Sequence, residues 1–236
     1  MVFLAVGFET TAPATALAVQ AARAEGLKNF SVLTAHKLIL PVMRSLLSAG
    51  EVPLDGFLCP GHVAVVLGWG AFEEIARDFR RPCVVAGFDS GQILAGIAEI
   101  LRQIESGGPK ACTVYSSVSR EGNRTAKALL EEVFTPVDDI WRSLGVIAGS
   151  GLALREEYAV FDAAKRFDLP VAESYELPGC RCGEVISGQC RPAECELFGR
   201  RCTPRDPVGP CMVSSEGACA AAYKYERPKV AVRSAT

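Results

Sequence analysis

Histidine is nearly absent from this sequence, with two in 236 residues. A catalytic metal site built from several imidazoles is therefore excluded. No stretch approaches ~18 uninterrupted apolar residues, so no segment reads as a membrane-spanning helix. The opening MVFLAVGFETTAPATA has no Lys or Arg before Arg23 and carries an acid at Glu9. It lacks the charged start of a secretory signal, and a soluble cytoplasmic protein is expected. Lys+Arg number 25 against Asp+Glu 27, for a net charge of −2. Neither a block of like charge nor a basic stripe with interleaved aromatics occurs, which argues against nucleic-acid binding. No GxxxxGK[ST] is present and no GxGxxG follows the first apolar run. A P-loop and an ordinary dinucleotide site are thereby excluded. The GxSxG elbow of serine hydrolases is also missing.

What the sequence does have is cysteine, unevenly placed. Of ten, only Cys59, Cys83 and Cys112 precede residue 170, and the other seven fall within 180–219. In a reducing compartment thiols stay reduced, so dense cysteines read as metal ligands or redox groups, and disulfides are not expected.

The first part of the chain alternates short apolar runs with helical patterns. VFLAVGF (2–8) leads into Ala14–Glu25, FSVLTA (30–35) into Leu38–Ala49, and GFLC (56–59) into Phe72–Phe79. CVVAGF (83–88) then precedes Ile93–Ile104, and CTVYSS (112–117) precedes Thr125–Phe134. A last apolar run, Leu144–Val146, is followed by a helical pattern over Glu156–Phe167. Runs of this length, each followed by a helix-length pattern, indicate βα units and a parallel sheet. The expected organisation is an α/β domain over 1–107, a second α/β portion over 108–169, and a cysteine-rich domain over 170–236. Gly107-Gly108-Pro109 marks the expected hinge between the two α/β lobes. Beyond Pro170, Gly, Pro and Cys interrupt every apolar period. Such a segment needs a cross-link or a metal to fold, with Ala218–Tyr225 its one helical stretch.

In open α/β sheets, ligands sit beyond the carboxyl ends of the strands. The polar residues that follow the apolar runs are Glu9-Thr10-Thr11, His36-Lys37, Pro60-Gly61-His62, Asp89-Ser90 and Ser116–Ser119. Both histidines fall in this set, although either alone also fits a helix cap or a surface residue. Thr11 and Pro13 equally fit an ordinary helix start.

Density alone does not choose among the seven clustered sulfurs. Zinc sites favour close pairs, and the one close pair is Cys180-Arg181-Cys182. CxxC and CxxxCxxC spacings are both missing. Wide, irregular spacing tolerates a cubane held by four thiolates. From composition, iron–sulfur and zinc carry similar weight, and pure thiol redox ranks behind them. Cys180, Cys195, Cys202 and Cys219 leave fourteen, six and sixteen residues between successive members. That pattern, inside GCRCGEV, ECELFGRRCTP and PVGPCMVSSEGACAAAYKY, resembles the HypD family of [NiFe]-hydrogenase maturation proteins. The likeness extends through GFETTAPATA, TAHKL, DGFLCPGHV, PCVVAGF, REGN and WRSLGVIAGSGLAL.

The resemblance implies parallel-sheet α/β lobes followed by a small iron–sulfur domain. It implies a [4Fe–4S] scaffold, rather than a conventional turnover enzyme, that helps assemble the Fe(CN)2CO group. The implied partners are a HypC-type small chaperone and a HypE-type cyanide donor, with iron carrying cyanide and carbon monoxide as cargo. Carried over by position, Cys180, Cys195, Cys202 and Cys219 become cluster ligands. His62 in CPGHV and Glu216 in SSEGAC become polar candidates near the iron-assembly cleft. Cys182, Cys190 and Cys211 are expected to be reduced bystander thiols. Two features depart from the family. Its members carry a long section, with further cysteines, before the GFETT strand, so this chain is expected to be a carboxy-terminal fragment, a split gene product or the result of a misplaced start. AGFDSGQIL also stands where the family has an AGFEP-like sequence. The rival reading is a structural zinc module on an α/β binding domain.

Overall fold

The computed structural model describes residues 1–50, 52–170 and 178–226. The chain divides into two compact units. The first takes Met1–Gly50, Asp55–Asp139 and Val146–Ala172, and the second Glu51–Leu54, Ile140–Gly145 and Glu173–Thr236.

The first unit is α/β with parallel sheets, as the alternating pattern predicts. Strands β1 (Val2–Gly7) and β2 (Ser31–His36) pair in parallel, joined by helix α1 (Ala12–Ala24). Ala12, Ala16 and Val19 recur on one face of α1 and pack against Ala5 and Val32 of the sheet. Helix α2 (Ile39–Ser48) follows β2. A second parallel sheet has the order β3-β4-β5, built from β3 (Phe57–Pro60), β4 (Cys83–Ala86) and β5 (Ala111–Thr113). All four residues of β4 are buried, as the central strand of a parallel sheet must be. Between β3 and β4 run α3 (Gly61–Leu67), a 3-10 turn at Trp69–Phe72, and α4 (Glu73–Phe79). Helix α5 (Ser90–Ser106) separates β4 from β5, and α6 (Arg124–Val133) follows β5. Gly107, read in the sequence as a hinge, caps α5 in the left-handed region at φ 66°, where the missing Cβ removes the steric cost. Asn123 caps α6 by accepting the Ala126 N–H at 3.0 Å.

Three expectations change. Helix α3 begins directly after β3, ahead of the helix expected at Phe72–Phe79. Gly61 permits this, because a Cβ there would lie 2.6 Å from both the Ala86 carbonyl oxygen and the Tyr115 ring. The run at Leu144–Val146 does not begin a βα unit. It enters a hairpin of β6 (Phe134–Trp141) and β7 (Gly145–Leu154), whose turn places Ser143 and Gly145 at positive φ. The helix expected over Glu156–Phe167 is instead a 3-10 segment at Glu156–Phe161 and a short α7 (Ala163–Arg166). Asp162 divides them, its carboxylate accepting the Ala164 N–H at 2.8 Å and thereby starting a new helix.

Among the described residues the second unit has short elements only: α8 (Cys182–Ile186), a 3-10 turn at Pro192–Glu194, α9 (Pro210–Val213) and α10 (Ala218–Tyr225). The last coincides with the predicted helix. Its buried cluster is made largely of Cys182, Cys190, Cys202, Cys211 and Cys219, with Val185, Met212 and Ala220. Few carbon-rich side chains are available, so apolar burial alone is a weak source of stability here. Among the described residues no helix is long and apolar enough to cross a membrane.

Candidate functional site

The cysteines of the second unit are positioned by its turns and helix starts. Cys180 lies in the segment before α8, and Cys182 is the first residue of that helix. Cys195 follows the Pro192–Glu194 turn, Cys211 lies in α9, and Cys219 in the first turn of α10. Cys202 closes a tight loop in which its N–H donates to the Leu197 carbonyl at 2.8 Å. Together they line one narrow cavity of about 10 Å³, shared by Cys180, Cys182, Cys195, Cys202, Cys211 and Cys219 and walled by Leu197, Phe198 and Gly209. All four residues singled out by spacing are in this set. Two more, Cys182 and Cys211, were not among the four; Cys182 belongs to the one close pair in the sequence, while no spacing marks Cys211.

Those two correct an expectation. Cys182 and Cys211 form a disulfide, not a pair of reduced bystanders. The packing of α8 against α9 brings their Cα atoms to 6.2 Å, within the span a disulfide bridges. The Sγ of Cys219 lies 2.9 Å from that of Cys211. Cys190 is a free, buried thiol outside the cavity lining.

Backbone groups surround these sulfurs. The Val208 N–H donates to Cys202 Sγ at 3.4 Å, and the Cys211 N–H to Cys182 Sγ at 3.2 Å. Hydrogen bonds of this kind tune the electronics of sulfur ligands. Burial pushes the Cys219 thiol up to about 12, with further upward pressure from Cys202, Cys195 and Cys180. Burial likewise raises Cys180. Without a cation Cys180 and Cys219 therefore favour the neutral thiol, whereas a coordinating metal deprotonates a thiol. Nearby, Arg181 forms a two-pronged ion pair with Glu184 and donates to the Glu194 carbonyl at 3.3 Å. The Arg142 guanidinium donates to the Val208 carbonyl at 3.1 Å, holding the loop that leads to Gly209.

Among the described residues no three His, Cys, Asp or Glu side chains converge on a point that could hold a single metal ion. A zinc ion needs its ligands gathered about one centre at ~2.3 Å for sulfur. A cubane places each thiolate on a different iron, and its ligands stand around a body. Cys180, Cys195, Cys202 and Cys219 share the lining of one cavity and are the donor type that either chemistry takes.

The remaining candidates lie elsewhere. His62 is an exposed residue in the first turn of α3, with its ring 4.6 Å from that of Phe88. Glu216 is exposed in the turn before α10. The two belong to different units. In the first unit, Glu9 is buried just past β1, and its Oε1 accepts the Ile39 N–H at 2.9 Å. His36, the last residue of β2, is buried with Nε2 3.3 Å from Thr15 Oγ1 and its ring edge-on to Phe134. Glu9 Oε2 and His36 Nδ1 are buried with no hydrogen-bond partner among the described residues. Burial raises the Glu9 carboxyl and lowers the His36 imidazole, so both favour their neutral forms. Thr11 precedes α1 as its cap residue without donating or accepting a capping bond through its side chain.

The chain joins a parallel α/β unit to a small unit whose buried cluster is rich in cysteine. The comparisons with known proteins are sharper. A family model for HypD, described as the hydrogenase formation hypA family, matches residues 1–226. The hydrogenase maturation factor HypD of Cupriavidus necator is 41% identical over 237 residues, covering 97% of this chain and 62% of the relative. HypD of Escherichia coli K12 is 42% identical over 229 residues, covering 96% and 61%. A putative hydrogenase expression/formation protein of Methanocaldococcus jannaschii is 41% identical over 227 residues, covering 96% and 63%. The chain belongs to the HypD family of hydrogenase maturation factors, and it spans about three-fifths of the length of these curated relatives.

Proposed function

We propose that this chain is the cluster-bearing part of a scaffold on which the Fe(CN)2CO group of a [NiFe]-hydrogenase is assembled. It works in the cytoplasm with a HypC-type chaperone and a HypE-type cyanide donor. Cys180, Cys195, Cys202 and Cys219 are the residues that would hold a [4Fe–4S] cluster. The observation that supports this reading is that all four of these cysteines line the same cavity of the second unit. When bound, the cluster supplies electrons for chemistry on the iron cargo or on nearby thiols. The protein's own part is positional. The Val208 and Cys211 N–H groups point at sulfur, and Leu197 and Phe198 limit water in the cavity. A disulfide in a reducing compartment is transient or redox-active rather than structural, so Cys182–Cys211 is a partner for electrons at this site. His62 and Glu216 are the polar groups assigned to the iron cargo. A neutral imidazole ligates iron or donates a hydrogen bond to a bound diatomic.

The test is anaerobic purification followed by an optical spectrum and analysis for iron, sulfide and zinc. Iron and sulfide should appear with a brown ~400 nm absorption. Single replacement of Cys180, Cys195, Cys202 or Cys219 by Ala should abolish it, while Cys190→Ala should not. Stoichiometric zinc without sulfide would sink the cluster assignment and leave the structural zinc module.

A further inference from the structure

Cys202 sits between two tight turns, and both present arginine. In the first, the Arg200 and Cys202 N–H groups donate to the Leu197 carbonyl at 3.2 and 2.8 Å, and the Gly199 N–H donates to the Cys202 carbonyl at 3.0 Å. Arg200 and Arg201 lie inside that turn. In the second, Thr203 and Asp206 exchange backbone hydrogen bonds, each of 3.1 Å, around Arg205. All three arginines are exposed. Among the described residues none of the three forms an ion pair, whereas Arg44, Arg77, Arg102, Arg120 and Arg181 each hold a carboxylate. Glu196 and Asp206 are the exposed acids of the same stretch, so positive charge is in excess.

An aromatic contact joins these turns to the sulfurs. Tyr223 of α10 is 44% exposed, and a Cβ on Gly199 would lie 3.9 Å from its ring. That ring stands edge-on to Phe198, with centroids 6.1 Å apart. Phe198 in turn walls the cavity lined by Cys180, Cys195, Cys202 and Cys219. Two rings therefore lead from solvent to the cavity, with arginines beside the outer one. Tyrosine and arginine are the residue types that protein–protein contacts favour.

We infer that this face docks an acidic one-electron carrier protein, whose carboxylates meet Arg200, Arg201 and Arg205 and whose redox centre comes up against Tyr223. The inference rests on the cluster proposed above. One electron passes from the reduced carrier to that cluster; the carrier is oxidised, the cluster is reduced, and no bond forms or breaks. Redox encounters bury little surface, so charge acts chiefly by steering association. A chain of net charge −2 with a patch of three cations suits a small acidic protein better than a polyanion, which takes a longer basic track with successive stacking rings.

The experiment uses the chain reconstituted anaerobically with iron and sulfide, and an acidic [2Fe–2S] ferredoxin as the probe. Surface plasmon resonance reads association of the oxidised ferredoxin, and EPR reads reduction of the cluster after mixing with the reduced one. Replacing Arg200 and Arg201 together by Ser should slow association by about tenfold or more at ~0.01 M salt. The difference should close toward ~1 M, where exposed charges are screened. Replacing both by Lys should keep most of the rate. Arg77→Glu, on α4 of the first unit, should change nothing. Iron and sulfide content should match the wild type in every variant. An unchanged rate in the Ser variant, association indifferent to salt, or equally fast binding of single-stranded DNA would overturn the docking face. Zinc without sulfide in the same sample would instead sink the cluster reading, and the electron step with it.

Discussion

Adding one methyl group at Gly209 should disturb the sulfur-lined cavity more than any change of charge around it. A Cβ at this position would lie 2.7 Å from Cys180 Sγ and 2.9 Å from Cys182 Sγ. Non-bonded carbon contacts settle at roughly 3.5–4.0 Å, so at least one sulfur has to retreat by about 1 Å. Cys182 resists, because it starts α8, is bonded to Cys211, and accepts the Cys211 N–H. Overpacking of this kind costs about 1–3 kcal/mol. Confined to the second unit, that is roughly a five- to 150-fold rise in local opening. Hydrogen exchange of residues 178–226 reads it directly, and the iron held after anaerobic reconstitution should fall in Gly209→Ala. Gly91 is the control, since a Cβ there meets nothing within 4 Å. In the first turn of α5, Gly91→Ala should leave residues 178–226 unchanged and stabilise the first unit by about 0.5–1 kcal/mol. Wild-type exchange and iron content in Gly209→Ala would refute the packing argument.

Glu9→Gln should flatten the pH dependence of the first unit. Burial raises the Glu9 carboxyl, so the folded protein holds a proton that the unfolded chain releases above the ordinary carboxylate value. Its stabilising contribution is full at low pH and is lost as pH rises through the folded-state value. Gln keeps the acceptor for the Ile39 N–H without ionising. The buried His36 acts with the opposite sign in both proteins, so the test is the difference: the melting temperature of the wild type relative to Glu9→Gln should fall as pH rises from 5 to 8, and identical slopes would sink the assignment. His62→Ala, at an exposed position beside Phe88, should shift stability by no more than about 0.5 kcal/mol. Placed in a full-length relative, it should keep cluster iron but lower hydrogenase maturation. Unchanged maturation would return His62 to a surface stacking role.

The fold was legible wherever one strand feeds one helix. Runs such as VFLAVGF and CVVAGF carry the composition of buried parallel strands, and α1, α2, α5 and α6 follow them within a few residues of the expected limits. Reading failed where a contact distant in sequence decides the local structure. The place of α3 depends on Gly61 clearing Ala86 and Tyr115, which no window around Gly61 contains. The β6–β7 hairpin was hidden because its eight- and ten-residue strands carry no glycine-rich two-residue turn. Its reversal rests on Ser143 and Gly145 at positive φ, and serine is an uncommon residue there.

At the sulfur site, spacing found four cysteines, but it could not tell Cys182 and Cys211 from Cys190. The difference is packing: α9 lays Cys211 against the start of α8, whereas Cys190 sits past the end of α8 and out of the cavity. The choice between zinc and a cluster was equally closed to sequence, since both chemistries use thiolates. At Gly209 the constraint is steric and lies outside any local window: a side chain there would press on the sulfurs of both Cys180 and Cys182. The second unit has few carbon-rich side chains to bury, so the cluster proposed for its thiols would supply, through bonds to sulfur, the stability that apolar packing there does not.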